Sequence, residues 1–209
     1  VIDLSGAWRL QEHKNRAIYK FTDADANAAA SIQQEAVYGM PELHRKQIAS
    51  ARLVANPGCY STSAILALAP LVREDRIDRK RGIICDAKSG VSGAGKTPTA
   101  KTHFMNAADN LSAYSVFGHR HTGELLEQLG LAANDIIFTP HLLPIPRGIF
   151  STVYVHLNAP TEPEAIDACY RNFYADSPMV RWSGTRLPEI QHSVRTNYCD
   201  LGFALATDK

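Results

Sequence analysis

The spacing of apolar residues along the chain predicts a mixture of strands and helices. Apolar and polar residues alternate over 150–157, which indicates a strand. Within 122–129, three leucines fall on one face of a helix. The same reasoning predicts further helices over 24–34, 61–72 (ending near Pro70) and 162–174, and a turn into a short helix at 38–43. It predicts further strands over 1–4, 52–55, 82–87, 111–116, 136–142 and 194–204. These mixed elements favour an α/β or α+β core, with a sizeable antiparallel sheet in the second half.

The composition narrows the class of protein. With 209 residues, 45% of them hydrophobic and 21% charged, the chain is long enough for one large core or two small ones. A net charge of +1 argues against a nucleic-acid or anionic membrane partner, and no apolar run approaches the ~20 residues of a membrane span. Because Val1 is neither Met nor part of a signal-peptide pattern, we expect the chain to begin inside a domain.

Four cysteines are spread along the chain without a CxxC pair. So few cysteines at such wide spacing do not make a disulfide framework, and we therefore expect a reducing compartment such as the cytoplasm. We expect Cys85, Cys169 and Cys199 to be small apolar residues of the core.

Cys59 differs from the other cysteines by its setting. It lies in the run Asn-Pro-Gly-Cys-Tyr (56–60), between an apolar stretch and a stretch of strong helix formers. At the start of a helix, the dipole and the unpaired N–H groups favour thiolate over thiol. The sequence therefore makes Cys59 a candidate nucleophile.

A glycine-rich segment at 90–97 matches the phosphate-binding pattern G-x-x-x-x-G-K-[ST]. A true P-loop needs its lysine and threonine in the first turn of a packed helix, whereas Pro98 follows at once and 99–110 has no apolar helical stripe. No apolar strand ending in Asp follows to hold Mg²⁺. We expect either a flexible loop or a glycine-rich loop that lies close to a ligand, and an ATP-binding enzyme stays an alternative.

A second polar cluster is His119-Arg120-His121, with Glu124 at the start of the following predicted helix. In an extended segment the two histidines project to one side. Cysteine chemistry needs an acid or base nearby, and histidine titrates in the useful range. Zinc binding is the weaker interpretation, because the HExxH spacing is absent. Side chains that could grip a carboxylate or phosphate are Arg9, Lys96, Arg120 and Arg147.

Several motifs in one order resemble a known family. They are Asp3-Leu4-Ser5, Val37-Tyr-Gly-Met-Pro-Glu-Leu43, Asn56-Pro-Gly-Cys-Tyr-Ser-Thr62, Lys88-Ser-Gly-Val-Ser-Gly-Ala-Gly95, His119-Arg-His121 and Pro144-Ile-Pro-Arg-Gly148. Together they resemble the N-acetyl-γ-glutamyl-phosphate reductases from residue 1 to Asp200. The Asn-Pro-Gly-Cys-Tyr run alone is also similar to aspartate-semialdehyde dehydrogenases, whereas the paired histidines favour the acetylglutamyl branch.

The resemblance implies an activity in arginine biosynthesis: reduction of an acyl phosphate by NADPH to N-acetylglutamate semialdehyde, with release of phosphate. It implies a thioester on the nucleophile, which hydride from NADPH then reduces. It implies Cys59 as nucleophile and His119 as acid/base, with no metal. The residues that it implies near the substrate are Arg9, Arg120, His121 and Glu124. Those that it implies near the NADP(H) cofactor are Ser89, Gly90 and Asn197. Which of the two histidines is the acid/base stays open.

The resemblance also implies two domains. Residues 1–58 would be the second half of a Rossmann-like NADP-binding domain, and residues 59–209 a catalytic and dimerisation domain with a mostly antiparallel sheet and helices on one face. We expect the 209-residue chain alone to bind NADPH weakly or not at all, since no glycine-rich phosphate-binding turn precedes Val1. A homo-oligomer, dimer or tetramer, is expected, with strand 150–157 as an interface element.

Two further alternatives stay open. The chain could be an acyl-phosphate reductase for aspartyl phosphate, as in the aspartate-semialdehyde dehydrogenases. It could also be a non-catalytic assembly module, because half of the expected cofactor site is outside it. Reactivity of Cys59 toward a thiol reagent separates an enzyme from such a module.

Overall fold

Three short parallel strands form the first sheet of the computed structural model, which describes residues 1–206. Strand β3 (Leu53–Ala55) lies in the centre, between β1 (Ile2–Asp3) and β2 (Ala36–Tyr38). Parallel strands need crossover connections, and helices supply them between β1 and β3: α1 (His13–Arg16), α2 (Ala26–Glu35) and α3 (Pro41–Ser50). All pairings of this sheet are therefore parallel.

Helix α4 (Cys59–Arg73) follows β3 and is the central helix of the core. It was expected to end near Pro70, yet it continues for another turn. Proline cannot donate the hydrogen bond that the carbonyl of Leu66 would receive. In its place the Tyr174 hydroxyl donates to that carbonyl at 2.6 Å, so the proline is tolerated within the helix.

A four-stranded mixed sheet forms the larger unit, in the order β5-β6-β4-β7. Its strands are β4 (Ile83–Gly90), β5 (Ser112–Ala113), β6 (Ile136–Leu143) and β7 (Ile149–Tyr154). The two edge pairings are antiparallel, as expected, whereas the central ladder between β4 and β6 is parallel and is the longest. Helices α5 (Phe104–Ala107) and α6 (Thr122–Leu129) lie between β4 and β6 in the chain.

The two faces of this sheet have different surroundings. Alternate residues such as Ile83, Cys85 and Phe138 are buried in the core with α4 and α6. On the opposite face, which we call the outer sheet face, apolar side chains remain exposed. It is formed by Ile84, Asp86, Lys88, Ile137, Thr139, His141, Phe150, Thr152 and Tyr154. The single helical layer agrees with the expected arrangement of helices on one face.

The last part of the chain adds α7 (Pro163–Phe173), β8 (Val180–Trp182), α8 (Ile190–Ser193) and β9 (Cys199–Leu201). Strands β8 and β9 pair in parallel, apart from the larger sheet. The α/β class is therefore confirmed. The expected second domain runs to residue 209, and its last three positions lie outside the described residues.

Two expected strands are much shorter in the structure. The strand expected over 111–116 pairs only at β5, because Ser115 and Phe117 have φ values of 47° and 59° and so leave the extended conformation. The strand expected over 194–204 pairs only at β9, and Arg195 has a φ of 66°. Of the helices within residues 1–206, none has the length and apolar character needed to cross a bilayer.

Candidate active site

Cys59 is the first residue of α4, as its sequence setting predicted. The link 56–58 brings the chain from β3 into the helix, and Gly58 at the N-cap offers no side chain to cap it. Cys59 is exposed at the surface. A reagent or substrate can therefore reach this residue.

Both histidines pack against the two neighbours of Cys59. A Cβ added at Gly58 would lie 2.5 Å from Nε2 of His121, and the Tyr60 ring lies edge-on to His119, with 5.6 Å between the ring centroids. The two imidazoles are 4.7 Å apart, and the backbone N–H of His121 donates to Nδ1 of His119 at 3.1 Å. Their segment is a turn that leads into α6, not the extended stretch expected, yet it brings both rings to one place.

The imidazoles are neutral at physiological pH. Burial lowers the pKa of His119 to about 3, helped by the nearby His121 and by the positive charge of Arg120. Burial also lowers the pKa of His121 to about 3, together with the positive charges of Arg120 and Arg9. A neutral imidazole can accept a proton, so both rings have the protonation state that a general base requires.

The expectation that the helix start holds Cys59 as a thiolate is corrected by the structure. Loss of water around the sulfur, although the residue reaches the surface, raises the pKa of Cys59 above its ordinary value. The backbone N–H groups of Tyr60 and Cys59 and the charge of Arg120 lower the pKa, but their effect is smaller. The resting form is a thiol, so deprotonation has to accompany attack on a substrate.

Glu124 lies beneath this site and is fully buried. Its Oε2 accepts hydrogen bonds from the backbone N–H of Gly58 at 2.9 Å and from the Tyr38 hydroxyl at 2.7 Å. Its Oε1 accepts from the Tyr19 hydroxyl at 3.2 Å and from Arg9 at 3.4 Å. The carboxylate thus faces the protein's own donors, which differs from the expected contact with a substrate.

The two expected arginines have different surroundings. Arg9 is buried, and its Nε donates to the carbonyl of Asn56 at 2.6 Å in addition to the ion pair with Glu124. Arg120 is exposed, with its guanidinium 5.9 Å from the centroid of the Tyr19 ring. Arg120 is therefore the better placed of the two to contact an anionic substrate.

The residues expected near a cofactor are not gathered around open space. Ser89 and Gly90 are buried at the end of β4. A Cβ at Gly90 would lie 2.7 Å from the backbone nitrogen of Arg147 and 2.8 Å from the carbonyl of Ile145. The glycine thus allows close approach of the chain's own backbone. Asn197 is exposed in the turn before β9.

The segment that matches the phosphate-binding pattern does not have P-loop geometry. After a short 3₁₀ turn at Val91–Ala94, residues 95–99 are irregular and exposed, and no helix begins at Lys96. The lysine and threonine are thus not in the first turn of a packed helix, which an ATP-binding P-loop requires. Within residues 1–206 no cluster of three or more His, Cys, Asp or Glu side chains is arranged to hold a metal ion.

Sequence reasoning assigned no role to three tyrosines of the site. Tyr38 and Tyr19 bind Glu124, and Tyr60 packs against His119 while its hydroxyl donates to the carbonyl of His141 at 2.9 Å. Tyr38 and Tyr60 do lie within the motifs Val37–Leu43 and Asn56–Thr62, which was the available signal. Their roles depend on partners more than 50 positions away in the chain.

A comparison with known protein families shows to which family the chain belongs. A family model described as "Semialdehyde dehydrogenase, dimerisation domain" matches residues 59–209. The chain belongs to this family. The match begins at Cys59, the first residue of α4.

Relatives of this semialdehyde dehydrogenase family member include curated proteins named N-acetyl-gamma-glutamyl-phosphate reductase. The protein from Dehalococcoides mccartyi (strain ATCC BAA-2266 / KCTC 15142 / 195) is 45% identical over 203 residues, which cover 95% of this chain and 58% of that protein. The protein from Pelotomaculum thermopropionicum is 44% identical over 209 residues, which cover 98% of this chain and 59% of that protein. The chain thus spans somewhat more than half the length of these relatives.

A solved structure has a similar fold. The aspartate semialdehyde dehydrogenase from Candida albicans, determined with NADP, aligns with a TM-score of 0.59 and 13% identity, over 80% of this chain and 57% of that one. At this identity the likeness concerns the fold alone. It agrees with the α/β architecture described above.

Proposed function

We propose that this chain carries the catalytic centre of an NADPH-dependent reductase that converts N-acetyl-γ-glutamyl phosphate into N-acetylglutamate 5-semialdehyde. The observation that carries the proposal is an exposed Cys59 at a helix start, with two neutral imidazoles packed against its neighbours. The names of the relatives, at 44–45% identity, support this acyl phosphate as the substrate. Such a reductase belongs to arginine biosynthesis and works in the cytoplasm.

The first chemical step follows from the side chains of the site. The sulfur of Cys59 attacks the acyl carbon, a C–S bond forms, and the bond from that carbon to the phosphate oxygen breaks, so that phosphate leaves with the electron pair. The thiol proton moves to a neutral imidazole as the C–S bond forms. The backbone N–H groups of Cys59 and Tyr60 face the sulfur and are suited to stabilise the oxyanion of the tetrahedral intermediate.

NADPH, when bound, supplies the hydride that reduces the thioester. Ser89 and Gly90, the expected contacts, do not fit direct binding, because the backbone of 145–147 occupies the space beside Gly90. No step is therefore assigned to them, and we propose that other parts of the full-length protein bind most of the cofactor. Arg120, exposed beside the site, is proposed to grip the anionic substrate.

The two histidines have different hydrogen-bonding capacity. Nδ1 of His119 already accepts from the backbone, so its neutral ring carries the proton on Nε2 and is a donor there. Nδ1 of His121 is buried and has no hydrogen-bond partner among residues 1–206. In this tautomer Nε2 of His119 donates and cannot take up the thiol proton, so we propose His121 as the base of the first step and His119 as a donor that stabilises the oxyanion from Nε2.

The test uses the natural full-length protein with N-acetylglutamate semialdehyde, phosphate and NADP⁺, followed by the absorbance of NADPH. We expect turnover with this aldehyde, little with aspartate semialdehyde, and none after Cys59→Ala. His121→Asn should lower kcat by roughly 10²–10⁴-fold, the usual size of general acid–base catalysis. Cys85→Ala, at a buried cysteine of the core, is the matched control.

Three results would contradict the proposal. Preference for aspartate semialdehyde would favour the aspartyl-phosphate alternative. Slow, uniform labelling of all four cysteines by iodoacetamide, together with no turnover, would favour an assembly module. A greater loss with His119→Asn than with His121→Asn would contradict the roles proposed for the two histidines.

We further propose that a second copy of the chain packs on the outer sheet face. Ile84, Ile137 and Tyr154 form one row across three strands, and they are 47%, 43% and 58% exposed. Exposed apolar rows of this kind mark interaction surfaces, and the matching family model is named for dimerisation. The division of the chain at residue 58 into a cofactor-binding part and a catalytic part is likewise kept as a proposal.

A further inference from the structure

The carboxylate of Glu124 links the residue before the nucleophile to three distant side chains. Gly58 and Tyr38 share its Oε2, whereas Tyr19 and Arg9 share its Oε1. All four distances lie between 2.7 and 3.4 Å. Each carboxylate oxygen therefore accepts two hydrogen bonds, which is what a buried charge requires.

We propose that Glu124 is a positioning residue of the proposed reductase, held in place by Tyr38, and that it acts on Cys59 by fixing the backbone of Gly58. This inference rests on the proposed function for its kinetic part only. Glu124 is 0% exposed and Tyr38 only 7%, so a substrate bound at the surface touches neither. Their influence on the reaction has to pass through Gly58.

The mechanical reason lies in the missing cap of α4. Helix starts are usually fixed by a side chain at the N-cap, and Gly58 has none. The Glu124 carboxylate binds the N–H of Gly58 from outside the helix and so defines the position at which the helix begins. Cys59 is the next residue, and its orientation follows from that anchor.

The electrical reason is the position of the charge. The negative charge of Glu124 raises the pKa of Cys59, in opposition to the positive charge of Arg120. The Tyr38 hydroxyl donates to Glu124 at 2.7 Å and so spreads and offsets part of that charge. His119 and His121, which also face the site, are neutral, and burial raises the pKa of the adjacent Tyr60, so that its hydroxyl is neutral too.

These two effects give a signature that a purely structural role lacks. In Glu124→Gln the charge is removed, so the pH midpoint of Cys59 labelling by iodoacetamide should move to lower pH. In Tyr38→Phe the charge remains but loses its donor, so the midpoint should move to higher pH. In both variants kcat should fall roughly tenfold, which is the effect of losing one hydrogen bond to a charged group. KM should stay within about twofold, because neither side chain contacts the bound substrate.

The matched controls remove similar groups elsewhere. The control for Glu124→Gln is Glu127→Gln, because Glu127 lies one turn further along α6 and likewise binds the N-terminal segment. It accepts hydrogen bonds from the backbone N–H groups of Gln11 at 2.7 Å and Glu12 at 3.0 Å. Tyr174→Phe removes another buried tyrosine hydroxyl, which donates to the carbonyl of Leu66 in α4 and not to Glu124. Both controls should lower the thermal midpoint and leave the Cys59 labelling midpoint unchanged.

The measurements are made on the natural full-length protein, with labelling at Cys59 read by mass spectrometry. Shifts of Glu124→Gln and Tyr38→Phe in the same direction, or shifts no larger than those of the controls, would overturn the inference. A raised KM with unchanged kcat would also overturn it, because that result indicates direct contact with substrate. If the protein reduces no acyl phosphate but the opposed shifts are seen, the proposed function fails and the positioning of Cys59 by Glu124 stands.

Discussion

Replacing Gly58 by alanine tests how closely the site is packed. Gly58 has φ −70° and ψ 150°, which any residue can adopt, so the substitution introduces no backbone strain. The added methyl group would lie 2.5 Å from Nε2 of His121 and 2.8 Å from Oε1 of Glu124. Ordinary contacts begin near 3.4 Å, so the imidazole has to move by about 1 Å.

The size of the effect follows from that displacement. Adding a methyl group to a closely packed interior destabilises a protein by about 1–3 kcal/mol. For a domain of about 150–250 residues each kcal/mol lowers the thermal midpoint by about 2–4 °C, which gives a fall of about 2–12 °C for the unfolding transition of the part of the protein that contains Gly58. A displacement of about 1 Å at a reacting group lowers turnover by about 10²-fold.

The assay compares Gly58→Ala with Gly118→Ala in the natural full-length protein, by thermal unfolding and by turnover. Gly118 adjoins His119, but a Cβ there meets its nearest atom, the carbonyl of Val116, at 3.9 Å. We expect Gly118→Ala to keep both the midpoint and the turnover of the parent. If Gly58→Ala behaves in the same way, His121 and Glu124 are not packed against Gly58, and the reasoning is refuted.

Two further predictions concern pH and association. His119 and His121 have pKa values of about 3 in the folded protein and about 6.5 in an unfolded chain. Between these two pH values the unfolded state therefore binds more protons than the folded state. The free energy of unfolding should thus fall as the pH is lowered from about 6.5 toward 3. Equal urea midpoints at pH 7 and pH 5 would contradict this. Ile84→Lys, on the outer sheet face, should shift the mass measured by light scattering toward the monomer. Leu187→Lys, at an exposed leucine that is in none of the strands of that sheet, should leave the mass unchanged. A dimer that persists in Ile84→Lys rules out this interface.

Local sequence patterns predicted an element correctly where the interactions that stabilise the element lie within it. The leucine spacing of 122–129 predicted α6 with its observed bounds, and Gly130, with a φ of 61°, ends that helix in the left-handed conformation. The start of α4 at Cys59 was likewise visible, because an apolar stretch, a turn and a run of helix formers follow one another. In these places the deciding interactions span only a few residues.

Patterns failed where a distant side chain changes the local preference. Pro70 predicted the end of α4, but the hydrogen bond from Tyr174 to Leu66 joins residues 108 positions apart. The expected thiolate at Cys59 was wrong because burial outweighs the N–H groups of the helix start. Neither the partner nor the burial can be read from the residues next to the site.

Residue patterns were enough to establish the class of fold, the helix that begins at Cys59 and the presence of a cysteine with histidines as candidate reactive groups. The folded chain was needed to show that both imidazoles contact the neighbours of Cys59, that Glu124 faces inward, and that Gly90 contacts the chain's own backbone. This division arises because backbone preferences act over one or two turns, whereas the distances, burial and charges around a reactive side chain depend on segments that folding brings together.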